Sequence, residues 1–173
     1  MVNQLFEIIK LILPAGIVFL TTYYLIKTFF AQNNNNRVMD VKLANQKIIT
    51  PIRLESYERI VLFLERINPS SMVMRINKTL GAPLLHAELL KTVRSEFEHN
   101  LSQQIYMSNK SWEAVIKAKE ETIKLINVAA TMVGPDSSGM ELAQAVITVS
   151  ARLTELPTKI AIDTIKLEIG REF

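Results

Sequence analysis

The chain has 173 residues, with no cysteine, two histidines, one tryptophan and five glycines. Without cysteine there is no disulfide framework, no thiolate nucleophile and no thiolate zinc site. That agrees with a reducing compartment and would equally suit a simple periplasmic domain. The two histidines, His86 and His99, are too few for a di-iron bundle, which needs two Glu-x-x-His copies and two further glutamates. The glycines are scattered, none forms a phosphate-cradling loop, and no serine sits in a Gly-x-Ser-x-Gly elbow. A surplus of one charge sign is missing where it would count. The net charge is +3, but residues 51–173 hold fifteen bases and fifteen acids, so the excess lies within residues 1–50. With a neutral body and no basic stripe, no nucleic-acid partner is expected.

What is present is one long apolar run. Leu11 to Phe30 reads LILPAGIVFLTTYYLIKTFF, with Lys27 its only charge. At about 1.5 Å per residue, such a helix spans about 30 Å, the hydrocarbon thickness of a bilayer. The expected anchor residues are Leu11, Pro14, Phe19, Tyr23, Tyr24, Lys27 and Phe30. Pro14 sits near the start, where breaking a helix costs least. Tyr23, Tyr24, Phe29 and Phe30 gather toward one end as an interfacial belt does, which a buried soluble helix would not require. Lys27 can snorkel to the headgroups. A cleaved signal peptide fits less well: residues 1–10 balance Glu7 against Lys10, and Phe29-Phe30-Ala31-Gln32 lacks the small-x-small site. The segment stands in place behind Met1, and its retention is expected. Arg37, Lys42 and Lys47 follow the span and only Lys10 precedes it, which orients the C-terminal part toward the cytoplasm. The expected location is the inner (cytoplasmic) membrane, single-pass.

The expected fold is all-α: a transmembrane anchor over 1–31, a polar and basic juxtamembrane linker over 32–50, and a cytoplasmic bundle of about four main helices over 51–173. Gln32 to Asn36 has poor helix and strand propensity and reads as linker. Residues 42–49 carry weak helical signals. Thr50-Pro51 is a start signal for a helix over 51–67. There Leu54, Tyr57, Val61 and Leu64 are the apolar line, Ile60, Phe63 and Ile67 lie alongside, and Glu55 pairs with Arg59. Met72 to Ile76 is a helical turn or a short strand. A second helix is expected over 83–106, with Leu90, Val93, Phe97, Leu101 and Ile105 buried. A third follows Ser108 as N-cap and runs to Met132, on an apolar face of Trp112, Val115, Ile116, Ile123, Ile126 and Ala130. Gly134-Pro135-Asp136 ends it. A fourth begins at Ser137 or Ser138. Along it Leu142, Val146, Val149, Leu153 and Leu156 recur at heptad spacing and form the candidate assembly surface. Pro157 kinks or ends it. Residues 158–173 alternate as a strand would, but Ile162, Ile165 and Ile169 have helical spacing, and helix is expected.

Leu54 to Ile67 (LESYERIVLFLERI), Glu96 to Tyr106 (EFEHNLSQQIY), Trp112 and Lys117 to Asn127 resemble an uncharacterised family of membrane-anchored helical proteins from Bacteroidota. The resemblance implies a natural helical module behind an N-terminal anchor. It implies no activity and supplies no functional residues.

Chemistry has one candidate pair. Glu96 and His99 are neighbours at i,i+3, expected on the solvated face, and His86 is expected in a core or interface with a local acceptor. The acids Glu55, Glu58 and Glu65 with Arg66 are expected to be solvated. Trp112 reads as a core anchor, and Met72 and Met74 as core or an adaptable surface. No cofactor and no metal are expected. The expected function is a non-catalytic, inner-membrane-anchored scaffold or accessory subunit acting through helix-mediated assembly. Its partners are the lipid bilayer and either further copies of itself or a larger membrane complex. The alternative is a membrane-tethered enzyme or metal-binding bundle using Glu96 and His99.

Overall fold

A computed structural model describes residues 2–76 and 79–172. Among the described residues the chain is all-α. Helix α1 is Val2–Arg66, α2 Pro69–Arg75, α3 Ala82–Asn100, α4 Asn109–Thr131, α5 Gly139–Ala151 and α6 Pro157–Glu172; a 3-10 segment, Leu101–Tyr106, makes the seventh helical element. The chain forms two compact units, Met1–Thr50 and Pro51–Phe173.

In the first unit the expected linker is helical. Gln32 to Asn36 and all that follows to Thr50 lie in α1. Each asparagine costs at most about 0.7 kcal/mol against alanine. A helix extended from an existing one pays no new nucleation penalty, so the run lowers stability locally without ending the helix. Pro51 likewise starts nothing. It stands inside α1 and leaves the carbonyl of residue 47 without its usual donor.

The second unit buries the end of α1 through Tyr57, Ile60, Phe63, Leu64 and Ile67. That stripe is turned from the expected line, leaving Leu54 exposed and Val61 half-buried. Asn68 caps α2, its side chain accepting from Ser70 N at 3.2 Å. Helix α4 packs against α3, α5 and α6, and α5 also meets α2 and α3. Ser108 caps α4 as expected. The buried side of α4 is Val115, Ala118, Thr122, Leu125, Ile126 and Ala129, while Trp112, Ile116, Ile123 and Ala130 are half-buried. Ser138 caps α5 in a full capping box: its Oγ accepts from Glu141 N at 3.3 Å, and Glu141 Oε2 accepts from Ser138 N at 2.7 Å. Ala82 N donates to Ser137 O and Gly139 N to Leu80 O, both at 2.9 Å, so the entries to α3 and α5 are pinned together. Residues 157–172 are helix, not strand.

Two expected helices end early. The one expected over 83–106 stops at Asn100 and tightens into the 3-10 segment. Three residues per turn moves every later side chain off the α-helical line, so Leu101 and Ile105 are exposed, Ile105 at 72%. Val93 is buried as expected, in line with Leu85 and Leu89, while Leu90 and Phe97 are half-buried. The helix expected to run to Leu156 stops at Ala151, with Pro157 opening α6. A proline has no N–H to give and suits the first turn of a new helix better than the interior of an old one.

Thr122 is fully buried and its Oγ1 has no hydrogen-bond partner. An unpaired buried hydroxyl costs roughly 1–3 kcal/mol. Thr122→Val keeps the shape and removes that cost, so it should raise the urea midpoint of the detergent-solubilised full chain. Leu142→Ala opens a hole at a fully buried position and should lower stability by about 2–5 kcal/mol, read in the same titration.

Candidate functional site

Every residue from Leu13 to Phe30 is exposed, and this stretch is long and apolar enough to cross a membrane. Hydroxyls in a hydrocarbon layer must find partners within their own helix. Thr21 Oγ1 donates to Ile17 O at 2.9 Å, and Thr28 Oγ1 to Tyr24 O at 2.7 Å. Pro14, Phe19, Tyr23, Tyr24, Lys27 and Phe30 all point outward on this surface; the side chain of Leu11 lies outside the described residues. Phe29 and Phe30 meet edge to face, centroids 6.2 Å apart.

The candidate assembly residues separate. Leu142 and Val146 are fully buried in the second unit's core, and Val149 packs against it half-buried. Leu153 lies past the end of α5, 44% exposed, and Leu156 is half-buried just before α6. The heptad spacing therefore belongs partly to internal packing, and Leu153 alone of the five is exposed.

Glu96 and His99 border a shallow groove of about 380 Å³ with Arg59, Leu62, Phe63 and Arg66. Glu96 is half-buried rather than solvated, and its Oε2 accepts from Arg66 Nη1 at 3.2 Å. The exposed His99 ring nitrogen Nδ1 is 3.3 Å from its own helix's Ser95 carbonyl. Glu55 is taken by Arg59 at 2.9 Å, and Glu58 and Glu65 are exposed. Among the described residues no three His, Asp or Glu side chains converge as metal ligands. His86 is half-buried with Nε2 2.8 Å from Asn127 Oδ1. Trp112 stacks on Phe97 at 5.6 Å, Phe97 meets Phe63 at 5.9 Å, and Lys119 Nζ lies 4.5 Å over the Phe97 ring. Met72 is core and Met74 is exposed.

The strongest polar network centres on Glu168 of α6, whose side chain is 9% exposed. Its Oε1 accepts from Tyr57 Oη at 2.6 Å and from Ser108 N at 2.8 Å, and its Oε2 from Ser108 Oγ at 2.5 Å. Arg53 donates to Tyr57 Oη at 2.9 Å and to Tyr106 O at 3.0 Å, and sits 3.9 Å from the carboxylate. Burial alone would raise the Glu168 carboxyl. The hydrogen bonds from Ser108, Ser111 and Tyr57 outweigh it and hold the group down to about 2. Tyr57 is pushed up to about 12 by burial and by donating to the Glu168 carboxylate. Sequence reading missed Glu168 because its partners lie far away in the chain and no local spacing announces them. The network ties α1, α4 and α6 together, and Glu168 also borders a surface pocket of about 350 Å³ with Ser108, Ser111, Thr164, Leu167 and Arg171.

An all-α protein with one apolar N-terminal helix and a packed helical body is the class these features define. The chain belongs to a family of unknown function (DUF7935), whose match covers residues 3–172. No curated protein and no solved structure matches it.

Glu168→Gln should cost about 2–4 kcal/mol near neutral pH, by leaving buried donors poorly paired. In the parent chain the depressed Glu168 stabilises fully above its unfolded pKa, and that contribution is lost as pH falls toward about 2. Tyr57 contributes below its ordinary pKa and loses its share as pH rises toward about 12. Urea midpoints measured from pH 7 down to 2 should therefore fall less steeply in the variant.

Proposed function

We propose that this protein is a non-catalytic, single-pass inner-membrane scaffold or accessory subunit, acting through helix-mediated assembly with its helical body in the cytoplasm. The observation that carries the reading is the wholly exposed apolar stretch Leu13–Phe30, in which the hydroxyls of Thr21 and Thr28 are turned back onto their own helix. Water would penalise that surface, and a bilayer removes the penalty. The balanced residues 1–10 and the basic residues after the span favour a retained anchor over a cleaved signal and set the orientation. Glu96 and His99 are engaged by Arg66 and a backbone carbonyl, which favours a surface role for them over the metal-binding or catalytic alternative. Through the resemblance of Leu54–Ile67 and Glu96–Tyr106, the reading extends to relatives as membrane-anchored proteins of Bacteroidota.

The absence of cysteine makes the topology directly testable. Ser95→Cys introduces one exposed thiol in the body. A membrane-impermeant maleimide should label it only after the cells are opened. Labelling of intact cells would reverse the orientation, and a mature chain lacking residues 1–31 by intact mass would replace the anchor with a signal peptide.

A further inference from the structure

The part of α1 beyond the span carries a pattern that the span does not explain. Past the asparagine run, Val38, Val41, Asn45 and Ile48 stand at intervals of 3, 4 and 3 residues. These are the a and d positions of a heptad, with Val38 and Asn45 at a and Val41 and Ile48 at d. Ala44 and Ile49 flank the line and widen it, while Asp40, Gln46 and Lys47 fall on other positions, as do the exposed apolar Met39 and Leu43. The stripe lies in the helix of the first unit; of its four residues Asn45 and Ile48 are exposed, Ile48 at 64%, and the side chains of Val38 and Val41 lie outside the described residues.

We infer that a second copy of this chain covers this stripe, in a parallel, in-register two-stranded coiled coil that begins beyond the end of the span. The inference rests on the anchor reading above. No proline or glycine interrupts residues 31–50 and no π-bulge breaks the helix there, so the commonest causes of a sharp kink are missing. The helix therefore continues along the axis of the span, and Val38 to Ile48 stand about 12–27 Å beyond Phe30. A stripe rising out of the bilayer cannot lie flat on lipid headgroups, so its cover comes from the side. Two copies threaded through the same membrane by the same span run parallel and bring identical residues to equal height. Asn45 then identifies the occupant. A wholly apolar cover would strand its amide, whereas an identical chain in register sets a second Asn45 opposite it. A single asparagine at an a position specifies register and a two-stranded state at a cost in stability, and β-branched Val38 at the other a position suits the same state. Arg37 and Lys42 flank the seam with like charge, a mild repulsion that salt screens. A seam this short covers less than the about 1,200–2,000 Å² of a standard interface between free proteins. Confinement to one membrane raises the effective concentration and lets the smaller area suffice. This surface is distinct from Leu142 and Val146, which the body uses internally.

Symmetric disulfides report such a seam, because only Cα atoms within about 7 Å across the pair can be bridged. Single cysteines at Val41 and Ile48, and at the off-stripe positions Leu43 and Lys47, are to be oxidised with copper phenanthroline in native membranes. The Val41→Cys and Ile48→Cys chains should give at least about fivefold more disulfide dimer than the two controls. Adding Asn45→Glu to Ile48→Cys sets like charges opposite each other and should lower its dimer yield about fivefold, while the thermal melt of the body stays unchanged. Equal yields at all four positions, or none at Val41 and Ile48, would overturn the seam. Alkaline carbonate washing of the same membranes separates the two readings. A chain that is retained but shows a flat pattern overturns the coiled coil alone, and a chain that washes off overturns the anchor and the coiled coil with it.

Discussion

The helical body depends on where one carboxylate sits. Glu168 collects the phenol of Tyr57 from α1 and both the hydroxyl and the backbone N–H of Ser108 at the start of α4. Three helices distant in sequence are thereby indexed to one point, and an orphan donor at the α4 terminus is satisfied by α6 rather than by water. A buried charge is a poor source of net stability, since desolvation offsets much of the gain. What it supplies is intolerance of misplacement: a slipped helix would leave the charge and its donors unpaired. The apolar contacts of Ile60, Leu64, Ile126 and Ile165 are individually indifferent to small shifts, and the carboxylate is not.

On the anchor reading, the two units answer opposite solvents. In the first, exposed apolar side chains are the design, and the Thr21 and Thr28 hydroxyls are folded back on the backbone. In the second, one apolar stripe of each of α1 and α3–α6 is gathered into a common core, and the charges outside it are mixed in sign. Helix α1 serves both with one secondary structure, because a helix satisfies its own backbone in lipid or in water.

Much of the second unit was legible in the sequence because its punctuation is chemical. Ser108 and Ser138 start their helices by side-chain capping, as local spacing predicts, whereas Pro157, expected only to kink or end the fourth helix, opens the last one. Other features rest on energies too small to read locally. The asparagine run stays helical because its propensity cost is spread over an already nucleated helix. The switch to three residues per turn after Asn100 exposes Leu101 and Ile105, and no residue type announces it. The apolar face of α4 was read from its larger side chains; Val115 and Ile126 are fully buried as expected, while the small Ala118, Thr122 and Ala129 are buried beside them and were not legible. Glu168 looked like one term of a strand-like alternation, since its partners are supplied by tertiary structure. Of the candidate sites, an N-terminal helix long and apolar enough to cross a membrane was legible from length and composition. The heptad at 142–156 was legible as spacing but not as purpose, because the same spacing serves a core and an interface.

The paired backbone bonds between residues 80–82 and 137–139 carry a kinetic consequence. They join two loops separated by the whole of α3 and α4, so they cannot form until those helices lie side by side. Their closure entropy is met only after most of the intervening chain is ordered. The two bonds are thus a late latch on the folding route, contributing little to its barrier from the unfolded side. Interactions made after the transition state slow unfolding rather than speed folding. Residues with almost no side-chain chemistry of their own, Ala82 and Gly139, therefore help set how long the body stays folded.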